Sequence, residues 1–408
     1  MHTLLIHQAF VSPHEAGGTR HYELAKHVVK AGDCFTIVAS DLSYLSGKRA
    51  TEKKGLVTKQ NINDICVFRA YTYPSLHKSF VWRVVSFFSF TFTSILASLG
   101  AGPVDLVMGT SPPIFQAISA WVVAKIRRKP FLLEIRDLWP EFAIDMGILK
   151  NPILITLSRW LEGFLYQSAS HILVNSPAYK TYLVGKGVPS GMITIIPNGV
   201  DIDMFFPDLD GTSFRKACRL DDKFIVTYTG ALGPANDIPT ILRAARILRD
   251  NADIHFVVAG DGKDRPNLEK MAKGFKLSNV TFLGSRPKTE IPMILAASDA
   301  CVATLMDIPM FSTTYPNKVF DYMAAGRPTV LAIDGVIRDV IEAAGGGLFS
   351  PPGNAEALAK AILHLANHPE EAKRMGKQAR DYVVRHFNRK YHAQCFLELA
   401  QQVGDFQF

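Results

Sequence analysis

Cysteine is scarce. The 408 residues hold five, Cys34, Cys66, Cys218, Cys301 and Cys395, an odd number with no close pair. A disulfide scaffold and a CxxC zinc site are excluded, and a reducing cytoplasm is favoured. No leader pattern opens the chain, and Thr3–Ile6 reads as a first strand. The dinucleotide fingerprint GxGxxG is missing as well. The twelve histidines read as lacking a metal-ligating pair, so no metal site is expected. Charge of one sign is only mildly in excess, with 45 Lys and Arg against 37 Asp and Glu, a formal +8. That suits an anionic partner such as phosphate or lipid headgroups and leaves no nucleic-acid footprint. What the chain does have is core material: 48% of residues are hydrophobic and 20% charged, which excludes global disorder.

There is one long apolar run, Phe80–Leu99, FVWRVVSFFSFTFTSILASL, interrupted by Arg83 and six hydroxyl residues. It reaches spanning length, so three readings stand: a span, a helix on a membrane surface, or a core helix. The balance favours a soluble or peripheral protein. The basic run Arg127-Arg128-Lys129 either complements a helix C-terminus or, with Lys48, Arg49, Lys53 and Lys54, meets anionic lipid.

Apolar strand-like runs alternate with helical stretches throughout, which is the pattern of parallel α/β layers. Two series of this kind emerge, separated near the turn dipeptide Asn198-Gly199. Each resembles a doubly wound sheet, whose ligands bind beyond the carboxyl ends of the strands. Three strand-to-helix loops carry glycines there: Gly17-Gly18, Gly230 with Gly233, and Gly260-Asp261-Gly262. Glycine lets backbone amides approach an anion closely, and a helix N-terminus adds favourable partial charge.

Two segments carry more ionisable residues than a core would. In Phe311–Val330, Pro316 and Asn317 mark a helix start and Gly326 with Pro328 its stop. Lys318 then falls in the first turn, where the helix dipole disfavours a cation and a bound phosphate would offset the penalty. Asp321 follows one turn later on the same face, a spacing that also suits a plain ion pair. In Glu134-Ile-Arg136-Asp137-Leu-Trp139-Pro140-Glu141, four ionisable residues surround a strand end, more a site than a core. Asp201-Ile-Asp203, by contrast, follows a turn and reads as a cap, not as a metal-binding pair.

The segments GGTRHYELAKHVVKAGD, LEIRDLWPEFAIDMGILKN, IPNGVDIDMF, VVAGDGKDRPNLEK, FLGSRPKTEIPMILAASDACV and YPNKVFDYMAAGRPTV run through nearly the whole chain. In that order they resemble the family-4 retaining glycosyltransferases of GT-B fold, in particular the bacterial O-antigen and capsule branch that includes N-acetyl-fucosamine transferases. The resemblance implies two Rossmann-like domains facing across a central cleft. An acceptor domain would occupy 1–200 and a nucleotide-sugar domain 201–378, with a helix at 379–402 crossing back onto the first. It also implies retaining, metal-independent transfer of an N-acetylated hexosamine-type sugar from a UDP-sugar. The acceptor would be polyprenyl-diphosphate-linked, the enzyme peripheral on the inner face of the cell membrane, and no cofactor beyond the nucleotide sugar would be needed.

The chain departs from the family at telling places. Thr313 stands where the family has the first of two glutamates, and Asp321 where it has the second, which grips the ribose. Ala231 and Asn236 stand where an Arg and a Lys commonly clamp the diphosphate. Lys318 with Arg286, beside Asn317, is the expected replacement. Asp137 falls where relatives keep a His or Asp beside the reacting sugar, to orient or stabilise, and Arg136 and Glu141 are taken with it as catalytic candidates. A non-hydrolysing UDP-sugar epimerase of the same fold and a non-catalytic partner subunit remain alternatives.

Overall fold

The computed structural model describes residues 1–12, 18–43, 47, 49–50, 55–74 and 80–405, apart from the side chains of residues 80, 81 and 83. Gly17, Lys48, Lys53, Lys54 and the Arg83 side chain thus lie outside the described residues. The chain divides into two compact units, Met1–Pro197 with Lys390–Phe408, and Asn198–Arg389.

The first unit runs β1 (His2–Ile6), α1 (Arg20–Lys30), β2 (Cys34–Ser40), β3 (Val57–Ile62), β4 (Ile65–Ala70), α2 (Phe80–Leu99) and β5 (Leu106–Ser111). It continues with α3 (Ile114–Arg127), β6 (Phe131–Ile135), α4 (Glu141–Asp145), α5 (Pro152–Ser168), β7 (His171–Val174), α6 (Pro177–Gly185) and β8 (Ile193–Ile195). Among the described residues these strands form one eight-stranded sheet in the order β3-β4-β2-β1-β5-β6-β7-β8. Helices cover both faces, so the inner strands are near-continuous apolar runs. The exception is β3, VTKQNI, which pairs antiparallel with β4. Its hairpin closes through Asn63 and Asp64, both at positive φ, the chemistry of a tight hairpin turn. Strand order reverses between β1 and β5, which places the switch point of this sheet at His7 and Ser111.

The second unit runs α7 (Thr212–Cys218), β9 (Phe224–Thr229), α8 (Ile238–Ile247), β10 (Ile254–Ala259), α9 (Arg265–Gly274), β11 (Val280–Gly284), α10 (Ile291–Ala296) and β12 (Ala300–Thr304). After these come α11 (Asn317–Ala324), β13 (Thr329–Ala332), α12 (Val336–Ala344), β14 (Gly347–Phe349), α13 (Ala355–Asn367) and α14 (Pro369–His386). The sheet is parallel, ordered β11-β10-β9-β12-β13-β14, with its switch point between β9 and β12. Its core joins Val226, Tyr228, Phe256 and Val302 to Ile241 and Leu242 of α8 and Ile362 of α13.

The expected closing helix at 379–402 is two helices. Residues 387–388 break the helix, and the junction pairs with the unit's own first residues: Val200 N donates to the Phe387 carbonyl (2.9 Å) and Arg389 N to the Val200 carbonyl (3.0 Å). Phe387 stacks on Phe320 at 4.4 Å, which anchors the break. Only α15 (Arg389–Gly404) returns to the first unit, where Phe396, Leu397, Ala400 and Val403 pack with Leu5, Phe35, Ile37 and Leu106. The division itself falls between Pro197 and Asn198.

Among the described residues no helix is long and apolar enough to cross a membrane. In α2, Thr91, Thr93 and Ser98 hydroxyls donate to carbonyls one turn back, at 2.9, 2.9 and 2.6 Å. One face, with Phe90, Ser94 and Ala97, is buried; the other leaves Trp82, Val85, Phe88, Phe92 and Leu96 exposed.

Candidate active site

In the second unit the site forms at the switch point. Lys318 leaves the first turn of α11 and folds beneath the loop that follows β9. Its Nζ donates to the Tyr228 hydroxyl and to Asn236 Oδ1, each at 2.8 Å, and lies 4.1 Å from the centre of the Tyr228 ring. The Tyr228 hydroxyl in turn donates a hydrogen bond to the Ala231 carbonyl at 2.9 Å. Both partners of the amine are neutral. Desolvation lowers the Lys318 pKa to about 7. The turn carrying Asn236 is pinned from β12, since Thr304 Oγ1 donates to the Asn236 carbonyl (2.5 Å) and Met306 N to that of Ala235 (3.0 Å). Lys318 thus places its amine against Asn236, the position at which the resemblance calls for a lysine. Gly230 is what makes room: at φ +142°, a Cβ there would come within 3.2 Å of Lys318 Nζ and of the Tyr228 hydroxyl.

The glycines of the next loop serve the loops themselves. A Cβ on Gly260 would sit 1.8 Å from the Gly230 carbonyl oxygen, and one on Gly262 would sit 2.4 Å from that of Leu232. Gly230 N donates to the Ala259 carbonyl (3.0 Å) and Leu232 N to that of Asp261 (2.9 Å), so the two loops pair backbone to backbone. Asp261 accepts from the Gly262 amide (2.8 Å) and pairs with Arg265 (3.1 Å). These residues build the wall of the site.

Asp321 and Lys318 do not pair. Asp321 is buried and its Oδ2 lies 2.5 Å from Lys288 Nζ, which also sits 4.7 Å over the Phe205 ring. Lys288 is the cation that sequence reasoning missed; it belongs to a short turn with no pattern of its own, and only the fold brings it to α11. The expected Arg286 is instead exposed and pairs with Glu290 at 3.4 Å. Asn317 is exposed at the start of α11, and Thr313 turns its hydroxyl onto the Met310 carbonyl at 2.5 Å.

The first unit gathers a second cluster beyond β6. Glu134, fully buried, receives Arg20 Nε at 2.9 Å and His21 Nε2 at 2.5 Å. Arg20 also donates to the carbonyls of Pro197 (2.8 Å) and Ile196 (2.9 Å). Burial alone would raise the Glu134 pKa, but His21, Arg20 and Arg136 together hold it well below the carboxylate range. Glu134 is therefore an anchor. Glu141 is likewise engaged, gripped in bidentate fashion by Arg159 at 2.9 and 2.9 Å, which holds its pKa down. The expectation that it joins Asp137 gives way to a role tying α4 to α5. Asp137 differs from both: burial pushes its pKa up to about 6 against the pull of Arg136. It lines a small cavity with Ser111, Ile135, Trp139, Glu162 and Tyr166. His7 and His21 meet edge to face at 4.3 Å, and burial holds both below the ordinary histidine pKa. Neither histidine was expected here, since one follows a strand and the other opens a helix far from Glu134 in sequence. A Cβ on Gly18 would meet nothing within 4 Å among the described residues.

Other expectations need adjustment. Arg127 donates to the carbonyls of Ser98 (2.7 Å), Leu99 (3.1 Å) and Gly102 (2.5 Å), so it closes the carboxyl end of α2, not that of its own helix. Lys129 lies 3.7 Å from Asp105. Asp201 Oδ1 accepts from the amides of Asp203 (3.0 Å) and Met204 (3.1 Å), closing a turn. The histidine spacing is corrected too. His364 and His368 stand four apart, and the fold brings both to Glu371, with donor atoms all within 4.8 Å of one another. A His364–Glu371 contact of 2.9 Å and stacked imidazoles describe that surface group.

Two Rossmann-like units with these sheet orders define the GT-B fold. Residues 211–382 match the family "Glycosyl transferases group 1", and residues 16–199 match "Glycosyl transferase 4-like domain". The two matched stretches lie one in each half of the chain, and both are glycosyltransferase domains, in keeping with the GT-B fold. A relative is WcaI of Escherichia coli (strain K12), described as a colanic acid biosynthesis glycosyl transferase; it is 25% identical over 56% of this chain and 58% of its own. A GDP-mannose-dependent alpha-mannosyltransferase of Mycobacterium tuberculosis is 27% identical over 56% of each chain. The chain thus spans somewhat over half the length of these curated relatives. Among solved structures, Anabaena HepE in complex with UDP and glucose superposes with a TM-score of 0.74 at 17% identity, covering 99% of both chains.

Proposed function

We propose that this protein is a retaining glycosyltransferase moving a sugar of N-acetylated hexosamine type from a UDP-sugar to a lipid-carrier-linked acceptor of surface polysaccharide. One observation carries the reading. At the carboxyl ends of β9 and β12, where such a sheet binds ligands, Lys318 is held by two neutral acceptors, with no carboxylate pairing it among the described residues. An ammonium so placed suits a diphosphate, whose charge grows as the sugar leaves. Asp321, held by Lys288, offers a carboxylate to ribose hydroxyls from the same helix. HepE supports a uridine nucleotide, and the mannosyltransferase a guanosine one, so the base is the first thing to test. On the acceptor side, Asp137 stands beside Arg136 at a strand end, half-buried, and would orient the incoming hydroxyl. The exposed apolar face of α2 supports peripheral contact with a membrane.

Lys318 would meet the diphosphate's charge, so transfer would proceed without a metal. The test is a panel of UDP- and GDP-sugars with and without a polyprenyl-diphosphate sugar, assayed with chelator present. Acceptor-dependent release of UDP, with product of unchanged anomeric configuration by NMR, is expected. Sugar interconversion without acceptor would instead make the protein an epimerase.

A further inference from the structure

A line of aromatic rings runs from the exposed face of α2 to the Arg136–Asp137 corner. Phe92 and Phe88, one turn apart, are 65% and 56% exposed. Phe88 lies 5.4 Å from Phe115 of α3, and Phe115 lies 6.3 Å from Trp139. Trp139 in turn borders the small cavity with Asp137 and Ser111. Both α2 and α3 leave the sheet at its carboxyl edge, so the ring line descends from solvent to the strand-end cluster within one unit. Its outer end is open, whereas Phe115 and Trp139 are half-buried.

At its inner end stands a cation. Arg136 makes no ion pair among the described residues, and its Nε is buried without a hydrogen-bond partner. His7, 2% exposed, lies in the same electrostatic neighbourhood with neither ring nitrogen partnered. An apolar line of rings that ends at a guanidinium near Glu134 and Asp137, its Nε without a hydrogen-bond partner, suits a hydrocarbon chain with an anionic head.

We propose that this strip is a subsite for the isoprenoid chain of the acceptor, with its first isoprene units along Phe88, Phe115 and Trp139 and its diphosphate against Arg136. The proposal rests on the lipid-carrier reading above and adds where the carrier lies. It makes the chain a recognition element read by the protein, not only a tether in the bilayer.

Titration calorimetry on the whole protein tests it, with farnesyl diphosphate and inorganic diphosphate as probes. Farnesyl diphosphate should bind at least about tenfold more tightly than inorganic diphosphate, because the strip buries apolar surface. Phe88→Ser, on an exposed position that leaves the fold intact, should weaken farnesyl diphosphate about tenfold and leave inorganic diphosphate unchanged. Phe115→Leu should act in the same direction. Equal affinity for the two probes, or equal affinity in wild type and both variants, would overturn the proposal. So would a Phe88→Ser variant that loses vesicle binding yet keeps its farnesyl diphosphate affinity, since the rings would then touch only the bilayer. The underlying reading fails separately: Phe88-dependent probe binding without turnover of any donor would refute the transferase and leave the strip standing. Turnover on a lipid-free sugar acceptor without probe binding would do the reverse.

Discussion

Replacing Lys318 by methionine keeps the length of the side chain and removes its charge, which separates binding from stability. In the free protein desolvation brings this lysine from an ordinary 10.5 to about 7, with Tyr228 and Asn236 holding its amine among the described residues. A diphosphate needs the ammonium, so donor binding above neutrality must take up a proton. The apparent Kd of a nucleotide sugar should then rise by up to about tenfold per pH unit between about pH 7.5 and 8.5. The sugar diester has no phosphate that titrates in this range, so the slope belongs to the protein. Lys318→Met should bind the donor about 1.5–3 kcal/mol more weakly at pH 7 and show no such slope. Stability should move the other way. The unfolded lysine stays protonated to about pH 10.4 while the folded one does not, so above pH 7 the unfolded state binds more protons. The wild type therefore gains stability from this group as pH rises from about 7 toward 10, and the methionine variant lacks that gain. At neutral pH the variant should be more stable by about 1–3 kcal/mol, because a charge poorly paired in a desolvated place is gone. Calorimetric titrations and urea unfolding across this pH range measure both effects. A wild-type Kd independent of pH, or a variant of equal affinity, would refute the reasoning.

Gly260→Ala should cost about 1–3 kcal/mol in urea unfolding, because its Cβ would meet the Gly230 carbonyl at 1.8 Å and force the paired loops apart. Asp321→Asn should weaken nucleoside diphosphate binding by about 1.5–3 kcal/mol, and unchanged calorimetric binding would remove Asp321 from the ribose site. Flotation with anionic liposomes should recover the protein at low salt and lose it at high salt, with Phe92→Ser and Trp82→Ser weakening recovery. Arg127 is the wrong residue for a charge reversal there, since it closes α2 and its loss would damage the fold.

Where an element carries its own signal, the sequence is a good guide. The buried parallel strands are apolar runs bounded by turns, and α2 and α5 have the lengths and boundaries that their patterns suggest. Elements defined by their neighbours were not readable in this way. Strand β3 is polar because it is an edge, so only the Asn63-Asp64 turn hints at it. The break at Phe387 has no proline or glycine; it arises from backbone pairing with Val200, in a segment remote along the chain. The site divides along the same line. Lys318 was legible because a cation in a first helical turn is locally unfavourable. Lys288 was not, because its contact with Asp321 joins distant segments. Glu134 and Glu141 looked like chemistry by their density along the chain, and three-dimensional partners, Arg20 with His21 and Arg159, turn them into anchors.

The most direct measurement is nucleoside diphosphate release from a nucleotide-sugar panel by wild type, Lys318→Arg and Lys318→Met, each with and without a polyprenyl-diphosphate sugar. The account predicts release by wild type from one donor class, dependent on acceptor. It predicts partial retention with arginine, and a loss of about 2–4 kcal/mol in kcat/KM with methionine, equivalent to roughly 30- to 1,000-fold. Release that is independent of acceptor, or equal in wild type and Lys318→Met, would contradict it.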